Sequence, residues 1–291
     1  MMKSKRDDVL CRPITDDMIG RVVECLKRGF PHRPGSYWIG ALEQMSKRAA
    51  IEDYPRYGYA LEAEGQIVGV VLLIFSRQDG EAGSYIRCNI SSWCVDEEYR
   101  ACAILLHMAA VKRKEVTYLN ISPAAHTWLA IEALGFQRYS NGQIFSTPIL
   151  STPQRNASVH TFTVDGPESK LLSESERKIL ADHAEYGCYS LVCVKDGAAY
   201  PFVFQRRAVL GLIPCSNLIY CRDISEFVRF AGPIGRYLLF RLGPFCIADA
   251  NGSVGGLVGK YFPERNPKYF KGPVPPRVGD LTYTESAVFG P

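Results

Sequence analysis

RCNISSWCVDEEYRACAILLHMAAVKRKEVTYLNISPAAHTWLAIEALGF, residues 87–136, passes twice from a β-forming run into a helix-forming one, and its order decides the fold. Residues 87–95 (RCNISSWCV) are rich in β-formers, the charged residues 96–100 (DEEYR) break the run, and residues 101–111 (ACAILLHMAAV) form an uncapped but strongly apolar helix. Residues 116–122 (VTYLNIS) then read as a buried strand. Residues 124–136 (AAHTWLAIEALGF) read as a helix stopped by Gly135, since glycine takes the left-handed conformation of a helix end without steric cost.

Around this stretch, composition sets the limits. A chain of 291 residues with 47% hydrophobic content can bury a sizeable core, and its length favours two compact domains over one. Lys plus Arg at 34 against Asp plus Glu at 30 leaves a net charge of +4 without a long run of either sign. That balance gives no footprint for nucleic acid or for an anionic membrane. The start, MMKSKRDDVLC, has no apolar stretch behind its charges, and no window reaches the length of a transmembrane helix, so a soluble, cytoplasmic protein is expected. The ten cysteines include no C-x-x-C pair and several sit in apolar strands, which reads as reduced core thiols. The five histidines are scattered, so no metal site is expected.

A boundary is expected after Leu150, where the polar residues 151–160 (STPQRNASVH) separate two hydrophobic halves, giving domains 1–150 and 151–291. The second half repeats the grammar of the first. Residues 167–187 read as an amphipathic helix stopped by Gly187, and residues 188–207 as a hairpin over Asp196-Gly197. Residues 216–223 are strand-like, residues 224–241 helix-like with a break near Gly232-Pro233, and residues 245–251 a buried strand. The glycines of residues 251–261 lack the phosphate-loop pattern and read as a connection, and the proline-rich tail as an ordered wrap ending in a strand.

This order of elements resembles the core of the GCN5-related N-acetyltransferase (GNAT) superfamily. Residues 11–15 (CRPIT) resemble its first strand, and residues 58–76 its second and third strands around an Ala63-Glu64-Gly65-Gln66 turn. Residues 137–150 after Gly135-Phe136 resemble its closing strands. The resemblance covers roughly the first half and implies an α/β (α+β) fold of two tandem GNAT-like units, each a mixed central sheet flanked by helices, the second degenerate.

The resemblance also implies acetyl-CoA or another acyl-CoA as co-substrate. In the family the fourth and fifth strands splay, so free backbone groups of the fourth pair with pantetheine amides, and the turn into the next helix points N–H groups at the pyrophosphate. Carried over, Trp93, Cys94 and Val95 face pantetheine, and Arg100, Ala101, Cys102, Ala103, Ile104 and Leu105 form the phosphate turn. The family pattern is Arg or Gln, two residues, Gly, one residue, then Gly or Ala. This chain keeps Arg100 but has Ala103 and Leu105 at the small positions, where a leucine side chain competes with phosphate for space. The family's usual proton donor, a tyrosine four residues before the glycine, falls on Ile131.

Three residues are candidates for the proton transfers that acyl transfer to an amine requires: His126 at a helix start, Tyr118 on the strand before it, and Glu98 in the acidic cluster Asp96-Glu97-Glu98, which also suits a cationic acceptor. The plainer readings are a backbone-bonded helix-start histidine, a core aromatic and a solvated turn. Residues 28–59, rich in aromatics and arginines, occupy the region that shapes the acceptor pocket in the family. Three functions are compatible with these residues. One is an acyltransferase moving an acyl group from acyl-CoA to an amine or hydroxyl of a small-molecule acceptor, as a monomer or homodimer. The others are a catalytically inactive binding or scaffold module, and a tandem aminoacyl-tRNA-dependent transferase, against which the near-neutral charge counts.

Overall fold

The computed structural model describes residues 9–51, 53–80, 83–152, 154, 156–209 and 211–290, which fall into two compact units, Met1–Ile121 with Lys271–Val274 and Ser122–Phe270 with Pro275–Pro291. Residues 1–8 of the start, and Pro153 and Arg155 of the expected linker, lie outside the described residues.

The first unit begins with β1 (Leu10–Pro13), α1 (Ile19–Gly29) and α2 (Gly35–Lys47). Both helices carry an apolar stripe at helical spacing, Val22, Val23, Cys25 and Leu26 on α1 and Trp38, Ala41, Leu42 and Met45 on α2, and all eight are buried. There follow β2 (Gly58–Ala63), β3 (Gln66–Gly80), β4 (Gly83–Val95), α3 (Ala103–Ala110) and β5 (Thr117–Asn120). The β2–β3 hairpin turns at Glu64-Gly65, both with positive φ (50° and 75°). Strand order is β1-β2-β3-β4-β5, with antiparallel pairs up to β4 and a parallel β4–β5 pair. β3 is buried continuously from Ile67 to Ile74, as a central strand covered on both faces requires.

The second unit contains α4 (Trp128–Ala133), β6 (Gln137–Ser146), β7 (Ser158–Thr161), α5 (Glu174–Glu185), β8 (Tyr189–Lys195), β9 (Ala198–Val209), β10 (Ile213–Cys221), α6 (Ile224–Leu242), β11 (Phe245–Ala250), β12 (Gly259–Lys271) and α7 (Glu285–Val288). α5 starts at a capping box, in which Glu176 N–H donates to Ser173 Oγ (3.3 Å) and Ser173 N–H to Glu176 Oε2 (2.9 Å). The hairpin turns on Asp196-Gly197 as expected, with φ of 51° and 77°. β7, β8, β9 and β10 pair antiparallel in turn, and β10 and β11 pair parallel, the pairing sequence of the first unit. Phe202 and Phe204 of β9 interdigitate with Phe227, Phe230, Ile234 and Leu238 of α6 to form the core of this unit.

Three details depart from the sequence reading. The division falls at Ile121/Ser122 rather than after Leu150, because β6 hydrogen bonds to β11 on one edge and β12 on the other and so belongs to the second unit. α6 runs through Pro233 without the expected break. Its Gly232, Pro233 and Gly235 are buried, and a Cβ at Gly235 would lie 2.2 Å from Ile149 N, so the small residues make a flat face for the chain at Pro148–Ile149. The tail ends in the short helix α7 rather than a strand.

β12 brings a charge inside. Lys268 Nζ lies 2.6 Å from Asp249 Oδ1, both side chains at most 4% exposed, and Gln143 Nε2 donates to the same oxygen at 3.1 Å. Removing one partner leaves the other charge buried alone. Lys268→Met is therefore expected to lower unfolding free energy by about 3–5 kcal/mol in urea titration. A loss under about 1 kcal/mol would mean that Asp249 is reached by solvent in the native state.

Candidate functional site: the open edge of β4

β4 pairs with β5 only at Arg87↔Thr117, Cys88↔Tyr118 and Asn89↔Leu119. Beyond Asn89 the strands part, and β4 continues to Val95 with β3 on one edge only. A β-bulge accompanies the divergence: Leu72 faces Ser91 and Val70 faces Cys94, so Ser92 and Trp93 together oppose Val71, with Ser92 at φ 51°. Bulges bend a strand and increase its twist, which turns β4 away from β5 here. Among the described residues no strand pairs with the β5-side edge from Ile90 to Val95.

The three residues expected to face pantetheine lie in this segment, each half-buried. Trp93 and Cys94 point to opposite faces, as strand alternation dictates. The Trp93 ring stacks on His107 of α3 (centroids 5.9 Å apart, planes 19°). Burial first, and the Lys271 ammonium second, hold the His107 imidazole below its ordinary pKa. Cys94 packs on α1, where Gly29 makes room: a Cβ there would lie 2.4 Å from Cys94 Cβ. Val95 pairs with Gly69, and Asp96 just beyond it is held by Arg28 of α1 (2.7 Å), whose guanidinium also donates to Ile67 O (2.8 Å).

The turn after β4 differs from a phosphate cradle. Residues Glu97–Cys102 form a 3-10 helix that runs into α3 without a break. The Tyr99 and Ala103 N–H groups donate to Asp96 O and Arg100 O, and the first turn carries Glu97 and Glu98. The N–H groups at the α3 start are thus used internally, while carboxylates occupy the positive end of the 3-10 helix. Arg100 and Ala101 are exposed, Cys102 is buried and Ala103 half-buried. Ile104 and Leu105 are 48% and 38% exposed, so the leucine side chain stands on the surface of the turn. The cation available there is Arg100, 3.6 Å from Glu97.

Of the proton-transfer candidates, Tyr118 is a core residue, 3% exposed, whose hydroxyl accepts the Arg113 N–H (3.2 Å) and whose pKa burial raises. Glu98 is exposed in the 3-10 helix. His126 is exposed in the 3-10 turn Ala125–Thr127 of the second unit. Ile131 is buried in α4, and Gly135 ends that segment at φ 85°, as its position predicts.

The second unit has an equivalent edge, and its own chain fills it. β10 pairs with β11 only from Cys215 to Asn217 and continues to Cys221 with a bulge at Ile219. There, on the edge opposite β9, Leu281 N–H donates to Ile219 O (2.8 Å) and Cys221 N–H to Gly279 O (3.0 Å), bridging Tyr220 and Asp280 antiparallel. Arg277 closes the contact with a bond to Cys221 O, and Gly279 is needed because a Cβ would lie 2.8 Å from Cys221 Sγ. α6 follows with its N-terminus capped by Asp223, which accepts the Ser225 N–H at 2.7 Å. Sequence reading did not reach this contact, since nothing in residues 277–281 beyond Gly279-Asp280 sets them apart as a strand partner.

Solved structures share this fold. A GCN5-related N-acetyltransferase from Kribbella flavida matches over 91% of this chain and 71% of its own, with TM-score 0.57 and 12% identity. One from Anabaena variabilis matches over 90% and 72%, with TM-score 0.56 and 11% identity. The chain has the GNAT fold. A candidate acetyltransferase from Pyrococcus horikoshii matches nearly end to end, 98% of this chain and 96% of its own, with TM-score 0.59 and 12% identity. No family profile and no curated protein matches the sequence. In this GNAT fold the divergence of β4 from β5 leaves the edge from Ile90 to Val95 without a strand partner among the described residues.

His107 is the titratable group stacked against that edge. Its folded pKa lies below the unfolded value of about 6.5, so the native state favours the neutral ring, and stability declines as pH falls below that value because the unfolded chain takes the proton first. An NMR titration is expected to place its midpoint below 6.5, and His107→Gln to flatten the fall in melting temperature between about pH 7 and 5. A midpoint at or above 6.5 would contradict the burial described.

Proposed function

We propose that the first unit is an acyltransferase that takes its acyl group from a pantetheine thioester such as acetyl-CoA and passes it to an amine or hydroxyl of a small molecule. The observation that carries this reading is the edge of β4 from Ile90 to Val95, with which no described strand pairs, beside the bulge at Ser92. Pantetheine is a chain with two amide groups, and such a chain can add to a strand edge as a peptide does. Its thioester would lie along Trp93, Cys94 and Val95. The acceptor nitrogen attacks the thioester carbonyl carbon, a C–N bond forms, the C–S bond breaks and CoA leaves as thiolate. A thiolate is stable enough near neutral pH to leave without a dedicated acid, so the buried Ile131 at the family's tyrosine position is no obstacle to turnover. The proton lost by the amine goes to water or to Glu98, exposed just past the strand end.

The second unit is read as a degenerate copy of the first. Its equal pairing sequence supports the duplication, and residues 279–281 on the β10 edge support the loss of its ligand. One donor per chain is the expected stoichiometry. A catalytically silent binding module is the second reading, supported by the 3-10 form of the turn at Glu97–Cys102. The two differ in turnover on an amine panel. Neither assigns a role to a metal, a nucleic acid or a membrane; no described helix is long and apolar enough to cross a bilayer.

The closed turn makes a quantitative expectation. With its N–H groups used internally, the nucleotide end of CoA gains little, so acetyl-pantetheine should bind within about tenfold of acetyl-CoA, roughly 1.4 kcal/mol, in isothermal titration. Arg100→Ala should weaken acetyl-CoA more than acetyl-pantetheine. Preference for acetyl-CoA above about a hundredfold would mean that the turn opens to form a phosphate site. No binding of either thioester would remove the acyltransferase reading.

A further inference from the structure

Cys25 and Cys94 stand apart from the other thiols of this chain. Cys25 lies on the buried face of α1, one helical turn before Gly29, and Cys94 on the open segment of β4. The missing side chain at Gly29 lets Cys94 sink onto the helix. A Cβ at that glycine would be 2.4 Å from Cys94 Cβ and 2.7 Å from its sulfur. Cys94 Sγ lies 4.0 Å from Cys25 O, which places its sulfur on the turn of α1 that carries Cys25. Arg28, between Cys25 and Gly29, clamps the same corner through Asp96 and Ile67 O. The elements that carry the sulfurs are thus held together whatever the state of the sulfurs. By contrast, Cys215 and Cys246 sit on adjacent strands but one register apart, Cys215 opposite Phe245 and Ser216 opposite Cys246, so they face opposite sides of the sheet.

We propose that Cys25 and Cys94 are an oxidation site that closes to an intramolecular disulfide on exposure to hydrogen peroxide, tying α1 to the open edge of β4. Cys94 is half-buried and Cys25 is 1% exposed, so Cys94 meets the oxidant first. Its sulfur attacks a peroxide oxygen, the O–O bond breaks, and one water leaves, with Cys94 as a sulfenic acid. Cys25 sulfur then attacks Cys94 sulfur, the S–O bond breaks, and the hydroxyl leaves as a second water with the Cys25 proton. Two thiols lose two electrons, and one peroxide becomes two waters. Contact with Cys94 lowers the Cys25 pKa against the opposing effect of burial, while contact with Cys25, then burial, raises that of Cys94; Cys94 therefore reacts first by access rather than by acidity, and Cys25 is the thiol suited to the second attack. The site is independent of what binds along β4, since it rests on the α1–β4 contact alone.

The test is peptide mapping of the full chain. The protein is treated with a small excess of hydrogen peroxide, blocked with N-ethylmaleimide under denaturing conditions, and digested without reductant. The expected result is a cross-linked species joining the peptides that contain Cys25 and Cys94, converted to the two free peptides by reduction, with the remaining cysteines alkylated. The oxidised protein should also melt at a higher temperature than the reduced one, and Cys25→Ser should remove both effects. Alkylation of both Cys25 and Cys94 after peroxide, pairing of either with another cysteine, or conversion of Cys94 to sulfinic acid without a cross-link would each overturn the proposal. The wild-type digest decides the matter even if the serine variant does not fold.

Discussion

A β-strand whose neighbour turns away must find another partner for its backbone, and this requirement organises both units. An N–H or C=O left buried without a partner costs about 1–3 kcal/mol, so an unpaired edge either meets water, takes a ligand or is covered by other chain. Where β4 leaves β5 at Asn89↔Leu119, the bulge at Ser92 turns the strand and presents the edge from Ile90 to Val95. The surrounding packing keeps the edge in place. Gly29 admits Cys94 against α1, Arg28 holds Asp96 at the strand end, and His107 lies flat on Trp93.

The second unit meets the same requirement with its own residues. β10 parts from β11 after Asn217, and Ile219 and Cys221 find their partners in Leu281 and Gly279. With a peptide already on that edge, and Asp223 capping the helix that follows, both the β10 edge and the start of α6 are occupied by the chain itself. The same topology thus supports two outcomes: one edge open and one closed by chain that a few hydrogen bonds hold. The first unit has gone part of the same way at its turn, where a 3-10 helix uses N–H groups that a phosphate would need.

Much of this was legible in the residues. The alternation of residues 87–136, Gly135 as a helix stop, the Asp196-Gly197 hairpin and the apolar stripes of α1 and α2 all act locally, through periodicity or positive φ, and they appear where expected. What was not legible depends on partners far away in sequence. β6 belongs with β11 and β12, 100 residues or more on, so the division between units could not be read from the polar stretch 151–160. α6 tolerates Pro233 because its buried Gly235 face receives Ile149, a contact with no local signal. At the candidate edge, the family resemblance pointed to Trp93, Cys94 and Val95. It did not reveal that Ser92 is the bulge, that Cys94 meets Cys25, or that Leu105 points outward from a turn already closed.

The central claim is that β4 carries a ligand-binding edge which in the second unit has been taken by the chain itself. Hydrogen exchange followed by mass spectrometry, with and without saturating acetyl-CoA, tests it directly. The account predicts slowed exchange in the peptide covering residues 90–95 on binding, with no change over residues 218–221, which are protected already. Unchanged exchange at 90–95 with bound acetyl-CoA, or new protection at 218–221, would contradict it.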